Sequence, residues 1–351
     1  MRKNRIDKIL KEIKSLFIIL IIALSLRATI IEAYIVPTGS MENSIMTGDF
    51  LIGNKFVFGM RTPDWIGIPY TELGLHIPWA RFPHFRRPHN GDIVIFKYPR
   101  DNFQKYVKRC VGEPGQNIFV KNKELYVDGK LSPLSENGKF VDNNIFNEEL
   151  NQPGIFLRKI WNRDNFGPIK IPKVGDTILI NESTDWDYLM PLMLMDGHQI
   201  VLKGDGIDGE YIFTMKDPND IARRYVSGLG SIIHGFFSNS KYWPKKVDKL
   251  FDKYYNPGNS NGRLLNVWNF KFTDDAFKYL WIDGKPMTSM ESYLVKQNYY
   301  WMMGDNRDDS ADSRYWGFVP EKLILGEAVV VYMSWEFGKG PRFQRIGKII
   351  S

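Results

Sequence analysis

The longest apolar stretch lies near the N-terminus. Ser15–Leu26, SLFIILIIALSL, carries no charge, and apolar character resumes after Arg27 at Ile30–Ile31 and Tyr34–Val36. Two readings fit this pattern. A run of that length behind a basic flank, with Ala23 and Ser25 at its end, has the form of a cleaved signal peptide. Carried on to about Ala33, it nears the roughly 20 residues of a bilayer-spanning helix, with Arg27 free to snorkel toward the headgroups. Both keep the basic end in the cytoplasm. No second segment of this kind follows, so at most one span is predicted.

Beyond it the pattern is strand and turn. Phe50–Val57, Asp92–Tyr98, Tyr106–Val111, Thr177–Asn181, Leu264–Phe272 and Glu327–Met333 are short β-rich runs edged by Gly, Pro and Asn. Gly48-Asp49, Gly91-Asp92 and Gly175-Asp176 each precede an apolar run, which reads as repeated turn chemistry. Asp128-Gly129 and Asp283-Gly284 follow YV and WI, and Asp-Gly after apolar residues predicts hairpins with type I′ turns. Few helical patterns appear, so the fold class expected is mainly β. The stretch from about 118 to 285 is polar and loop-rich, with NNIFNEELNQPG and NPGNSNG inside it, and reads as an inserted, variable domain.

Composition narrows the chemistry. With 43% hydrophobic and 25% charged residues, the 351-residue chain is a folded one. It has 47 Lys+Arg against 40 Asp+Glu, a balance of +7, too diffuse to point to nucleic acid. Residues 1–14 alone hold Arg2, Lys3, Arg5, Lys8, Lys11 and Lys14 against Asp7 and Glu12, a local +4. One cysteine, Cys110, excludes an internal disulfide, and the five histidines show no ligand spacing, so no metal or cofactor is expected. Residues 59–90 interleave Trp65, Tyr70, Trp79, Phe82 and Phe85 with Arg61, Arg81, Arg86 and Arg87, which suits either a lipid headgroup layer or packing beneath a loop.

Four segments could carry chemistry. Gly258–Gly262 matches GxSxG, but YYNP before it and RLLNVWNF after it do not supply the strand-to-helix turn of a nucleophile elbow, so it reads as a loop. Val36–Met41, VPTGSM, follows the apolar segment and offers Ser40, either a nucleophile awaiting a base or a juxtamembrane turn. Tyr106–Gly115, YVKRCVGEPG, puts Lys108 in an apolar strand. Exposed, it is an ordinary lysine; buried, it loses its preference for charge and becomes usable as a base. Gly304–Pro320, GDNRDDSADSRYWGFVP, is dense in charged and small polar groups and reads as a hydrogen-bonded, partly buried turn network.

In this order behind an apolar segment, these stretches resemble bacterial type I signal peptidases, the leader peptidase family. The resemblance covers Arg27–Ile45 (RATIIEAYIVPTGSMENSI), Gly91–Pro99 (GDIVIFKYP), Tyr106–Gly115, Tyr299–Pro320 and the tail Phe343–Lys348 (FQRIGK), about a third of the chain. It implies Ser40 as nucleophile and Lys108 as its general base. Ser310 would orient the lysine amine, and the Ser40 N–H and Thr38 hydroxyl would form the oxyanion hole. Asp312 and Arg314 would be a structural ion pair, with Asp305 and Arg109 supporting the site. Two departures stand out. The family commonly has Ser-Met-x-Pro-Thr-Leu where this chain has Ser40-Met-Glu-Asn-Ser-Ile45, and GDNRDNS is here GDNRDDS, with Asp309 at the amide position. Loss of the proline is expected to loosen the turn.

The implied organisation is a cytoplasmic tail (1–14), a transmembrane anchor (15–36), a discontinuous β-rich catalytic core (37–117 and 286–351) and an inserted β domain (118–285). The implied function is a membrane-anchored serine endopeptidase that cuts signal peptides from secreted preproteins after small residues. It would act on the outer face of the cytoplasmic membrane, with the bilayer as its other partner and without nucleic acid. Such an enzyme meets its substrates at the bilayer, which favours the retained anchor over the cleaved signal. Two rivals remain: an anchored, non-enzymatic β-rich binding or assembly module, and a self-cleaving Ser/Lys regulator. The oligomeric state is not legible.

Overall fold

The structure, a computed structural model, describes residues 11–19, 31–62, 65–67, 74–76, 78–207, 209–216, 264–272 and 276–350. After a helix over 11–19 come strands β1 (Ile31–Ile35), β2 (Asp49–Asn54), β3 (Trp65–Gly67), β4 (Gly74–His76), β5 (Ile93–Tyr98) and β6 (Asp101–Gly112). The middle of the chain adds β7 (Asn117–Lys121), β8 (Glu124–Val127), β9 (Lys130–Ser132), β10 (Phe166–Lys170), β11 (Thr177–Leu179), the helix Trp186–Met195, β12 (Ile200–Leu202), β13 (Tyr211–Thr214) and β14 (Leu264–Asn266). Then follow β15 (Leu280–Ile282), β16 (Lys285–Pro286), β17 (Ser292–Leu294), β18 (Tyr299–Met303), the short helix Ser313–Trp316, β19 (Val319–Pro320), β20 (Ile324–Glu336) and β21 (Gly340–Pro341). The described chain is mainly β, as its alternation and turn residues predict.

Eight strands form the principal sheet, in the order β1-β2-β20-β5-β6-β18-β19 with β21 on the end of β20. Strands β5 and β18 are buried on both faces. Ile93 and Ile95 of β5 pack with Tyr34, Met41, Ile45 and Leu51, while Val94 and Phe96 pack with Cys110, Tyr300, Met302 and Trp316. Double burial explains why IVIF and YYWMM read as unbroken apolar runs. Alternate residues of β18 face two different cores: Tyr300 and Met302 face the one just named, whereas Tyr299, Trp301 and Met303 join the cluster of the middle segment. The middle segment therefore shares its core with the strand that leads into Gly304-Asp305.

The middle of the chain holds the sheets β10-β7-β8-β9 and β14-β13-β12-β15-β16 and the pair β11-β17. In that pair β11 meets Ser292–Leu294. Both Asp-Gly hairpins form: φ is 49° and 76° at Asp128-Gly129 and 47° and 82° at Asp283-Gly284. The run expected over Leu264–Phe272 stops at Asn266, whose side chain accepts the Trp268 N–H at 2.8 Å and turns the chain. Likewise β2 stops at Asn54, where the Asn54 amide accepts from Phe56 N at 3.0 Å rather than continuing to Val57.

The last residues of the anchor expected over 15–36 form a strand instead. Ile31–Ile35 pairs antiparallel with β2, Tyr34 opposite Leu51, because alternate positions here bury Tyr34 and expose Ile31, Ala33 and Ile35. Residues 20–30 lie outside the described residues, and among the described residues no helix is long and apolar enough to cross a membrane. The GxSxG segment 258–262 also lies outside them.

Candidate active site

Strands β1 and β2 are joined by a loop that carries Ser40. Its base is closed by Val36 N–H to Asp49 O at 3.0 Å and Gly48 N–H to Val36 O at 2.8 Å. Gly48 is required there: its φ is 84°, and a Cβ would overlap the Trp335 carbonyl. Met41 and Ile45 plug into the core on either side of a turn held by Glu42 N–H to Gly39 O (2.9 Å) and Ile45 N–H to Met41 O (2.7 Å). Asn43 stands where the resembling family has proline, and its φ is 77°, which a proline ring locked near −65° cannot adopt. Asn43 thus holds a backbone conformation closed to proline, within a turn that makes both hydrogen bonds. Asp305 accepts the Ser44 hydroxyl, and Arg345 of the tail reaches Ser44 O at 3.3 Å while clamping the buried Asp49.

Lys108 comes from β6, paired with Val94 of β5, and is 4% exposed. Its Nζ lies 2.6 Å from Ser40 Oγ and 3.2 Å from Val107 O. Burial pushes the amine down to about 8, a fall that the charges of Asp312 and Asp305 oppose without cancelling. The Ser40 N–H makes no hydrogen bond among the described residues, and Thr38 beside it is exposed.

The segment after β18 surrounds this pair. The antiparallel register Met303 to Arg109 delivers Gly304-Asp305 next to Lys108. Asp305 is fully buried and accepts Arg109 Nε and Nη2 at 2.8 Å each, while Arg109 Nη1 donates to Gly91 O at 2.6 Å. Burial alone would raise the Asp305 carboxyl, but the Arg109 guanidinium and the Ser44 hydroxyl hold it below the ordinary range. Asp312 caps the helix Ser313–Trp316 and takes Arg314 Nε at 2.9 Å and Nη2 at 2.8 Å. Its own burial is likewise outweighed by that guanidinium. Arg314 also donates to Arg163 O and Arg307 O, so this pair ties three loops together.

Ser310 is buried close to Ser40, since a Cβ on Gly304 would overlap both Ser310 Oγ and Ser40 O, and its hydroxyl has no hydrogen-bond partner among the described residues. The lysine amine is instead satisfied by Ser40 Oγ and Val107 O. Asn306, which the motif reading passed over, donates its N–H to Ser40 O at 3.1 Å and its amide to Gly39 O at 3.2 Å, holding the backbone at Ser40. Ser44, Asn306 and Arg345 sit inside recognisable motifs, but nothing in one sequence marks their contacts.

Along its other edge β6 pairs with β18 only from Arg109 to Gly112, so among the described residues Gln104–Lys108 offers a free strand edge leading to the lysine. The outer edge of β1 is also free, and Glu32 of β1 meets Lys105 of β6 at 2.6 Å. A hydroxyl held against a buried amine, an unengaged N–H beside it and a free strand edge together permit acyl transfer on an extended peptide.

A family model described as signal peptidase, peptidase S26, matches residues 9–165 and 247–335. A signal peptidase I of Buchnera aphidicola (subsp. Schizaphis graminum) is 28% identical over 348 residues, covering 97% of this chain and 81% of its own length. One of Pseudomonas aeruginosa is 25% identical over 352 residues, covering 96% and 78%. A solved signal peptidase I from Enterococcus faecalis V583 is similar over 69% of this chain and 97% of its own, at 16% identity and a TM-score of 0.22, too low to bear on the fold.

Proposed function

Because the chain belongs to the signal peptidase, peptidase S26, family and is a serine-protease hydrolase, we propose that it is a membrane-anchored endopeptidase that removes signal peptides from exported preproteins with a Ser40/Lys108 dyad. The observation that carries this reading is the 2.6 Å approach of Lys108 Nζ to Ser40 Oγ in a buried setting. With the amine lowered to about 8, roughly a tenth of it is neutral at pH 7, against well under a thousandth at an unshifted 10.5.

In the proposed sequence the substrate adds as a strand along the free edge of β6, which brings its scissile carbonyl to Ser40. Neutral Lys108 takes the Ser40 proton as Oγ attacks. The developing oxyanion receives the Ser40 N–H and the Thr38 hydroxyl, donors of a kind worth a few kcal/mol each. The lysine ammonium then protonates the leaving amine, and water, deprotonated by the same amine, releases the acyl chain. Asp305–Arg109 and Asp312–Arg314 hold the turn, and Ser310, adjacent but unbonded, would meet the amine only after a small rotation. Val36, Met41, Ile45, Ile95 and Val107 form one packed apolar cluster beside the serine, a setting suited to small residues before the cut.

The anchor is proposed to lie before Ile31, with the basic tail in the cytoplasm and the rest of the chain on the outer face. Exposed Ile31 and Ile35 on β1, Met333 and Trp335 on β20, and Phe337 and Phe343 beyond it would rest on the bilayer, together with Trp79, Phe82 and Phe85 of the 59–90 segment. A serine-reactive acylator tests the reading. Mass spectrometry should find the adduct on Ser40 and none in Lys108→Ala. An unlabelled Ser40 in an otherwise folded protein would favour the non-enzymatic module.

A further inference from the structure

The inference concerns the insert and rests on the catalytic reading above. The catalytic turn 305–308 is held largely by the insert. Lys139 lies alongside Asn306 as a parallel β-bridge, its N–H donating to Asp305 O at 2.9 Å and its carbonyl accepting Arg307 N–H at 2.9 Å. Its side chain pairs with Glu42 of the nucleophile loop at 2.7 Å. One turn further, Asp308 accepts the N–H groups of Val141 (2.9 Å) and Asp142 (2.8 Å) and both oxygens meet Lys123 Nζ at 3.1 Å. Lys123 and Asp308 have side chains only 8% and 3% exposed, so the pair is desolvated and sensitive to loss of either partner. Arg163 donates to Asp308 O at 3.0 Å and accepts Arg314 on its own carbonyl.

Beyond β9 this arm contains no strand, yet it is anchored. Buried Asn162 holds Asn147 O and Leu150 O, and Asn165 holds Phe146 O. We propose that the segment from Lys123 to Arg163 is a positioning arm for the catalytic turn, acting through Asp305, Asn306 and Asp308, with Lys123 and Lys139 as its positioning residues. Asn306 in turn fixes the carbonyls of Gly39 and Ser40. Loss of the arm's grip displaces the nucleophile while leaving the free edge of β6 untouched. A shift of about 1 Å at such a site costs on the order of a hundredfold in rate.

The test uses the full chain in detergent with Lys123→Met, Lys123→Arg and Lys139→Met. For each variant the total number of serines labelled by an acylator, the acylation rate constant and KM for a preprotein are measured. Lys123→Met should label to the same final extent but at least tenfold more slowly, with KM within twofold. Lys123→Arg should recover to within about threefold, and Lys139→Met should slow two- to fivefold. A merely structural role would lower the final extent of labelling and not the rate per labelled site. Wild-type acylation in folded Lys123→Met, or in Lys139→Met if Lys123→Met does not fold, overturns the proposal. If the wild-type chain itself is not labelled at Ser40, the catalytic reading fails first and the arm has nothing to position.

Discussion

Replacing Lys108 by methionine keeps an unbranched apolar stem as far as Cε and removes the amine, which isolates the cost of burying it. The amine is lowered by burial to about 8 from an ordinary 10.5. At about 1.4 kcal/mol per unit, that difference corresponds to about 3 kcal/mol of native-state destabilisation. Below pH 8 the folded and unfolded chains both carry the protonated amine, and the folded chain bears the whole penalty. Between about 8 and 10.5 the folded chain has released its proton while the unfolded chain keeps it, so stability rises with pH until the penalty is gone. Losing the bond to Ser40 Oγ offsets about 1 kcal/mol of the gain. Lys108→Met should therefore be inactive yet about 2 kcal/mol more stable than wild type at pH 7, the advantage falling to zero near pH 10 and reversing to a deficit of about 1 kcal/mol above it. Urea unfolding of both full chains in detergent at several pH values reads this directly, and the difference between variants cancels titrations common to both. A variant less stable at pH 7, or a gain that does not change with pH, refutes the account of Lys108 as an amine held neutral at a cost.

The same shift sets the rate profile. Log kcat/KM on a signal-peptide substrate should climb with unit slope to about pH 8 and then level, and a midpoint near 10 would show an unburied amine. Gly304→Ala drives a methyl group into Ser310 and the Ser40 carbonyl, so acylation of Ser40 should fall at least about a hundredfold with circular dichroism unchanged; near-normal acylation would contradict the packing. Asn43→Pro cannot keep φ at 77° and should lower the urea midpoint by an equivalent of about 1–3 kcal/mol, while Asn43→Gly stays close to wild type. Equal behaviour of the two variants would mean that the turn is not in this conformation.

Much of the principal sheet was legible because its strands are long, apolar and bounded by turn residues, and both Asp-Gly hairpins announced themselves through a backbone requirement. The helix Trp186–Met195 was not, since Pro191 inside it argues against a helix until burial of Leu189, Met190, Leu192 and Met193 overrides propensity. β1 was hidden by composition: the residues that suit a bilayer-spanning helix also suit a strand with one buried face. The roles of Ser40 and Lys108 were read from a resemblance, and only three-dimensional structure could bring together residues so far apart in sequence. The contacts of NNIFNEELNQPG were the least legible. The segment reads as a variable loop because it and its partners Asn162, Asp164 and Asn165 are polar, and a buried polar network has the same composition as an exposed loop.

Cleavage of a full-length preprotein by the purified full chain, with Ser40→Ala and Lys108→Ala alongside, bears most directly on the Ser/Lys account. Wild type should release a mature product whose new N-terminus follows a small residue, while both variants, folded by circular dichroism, should release none above background. Full cleavage by either variant would contradict the dyad.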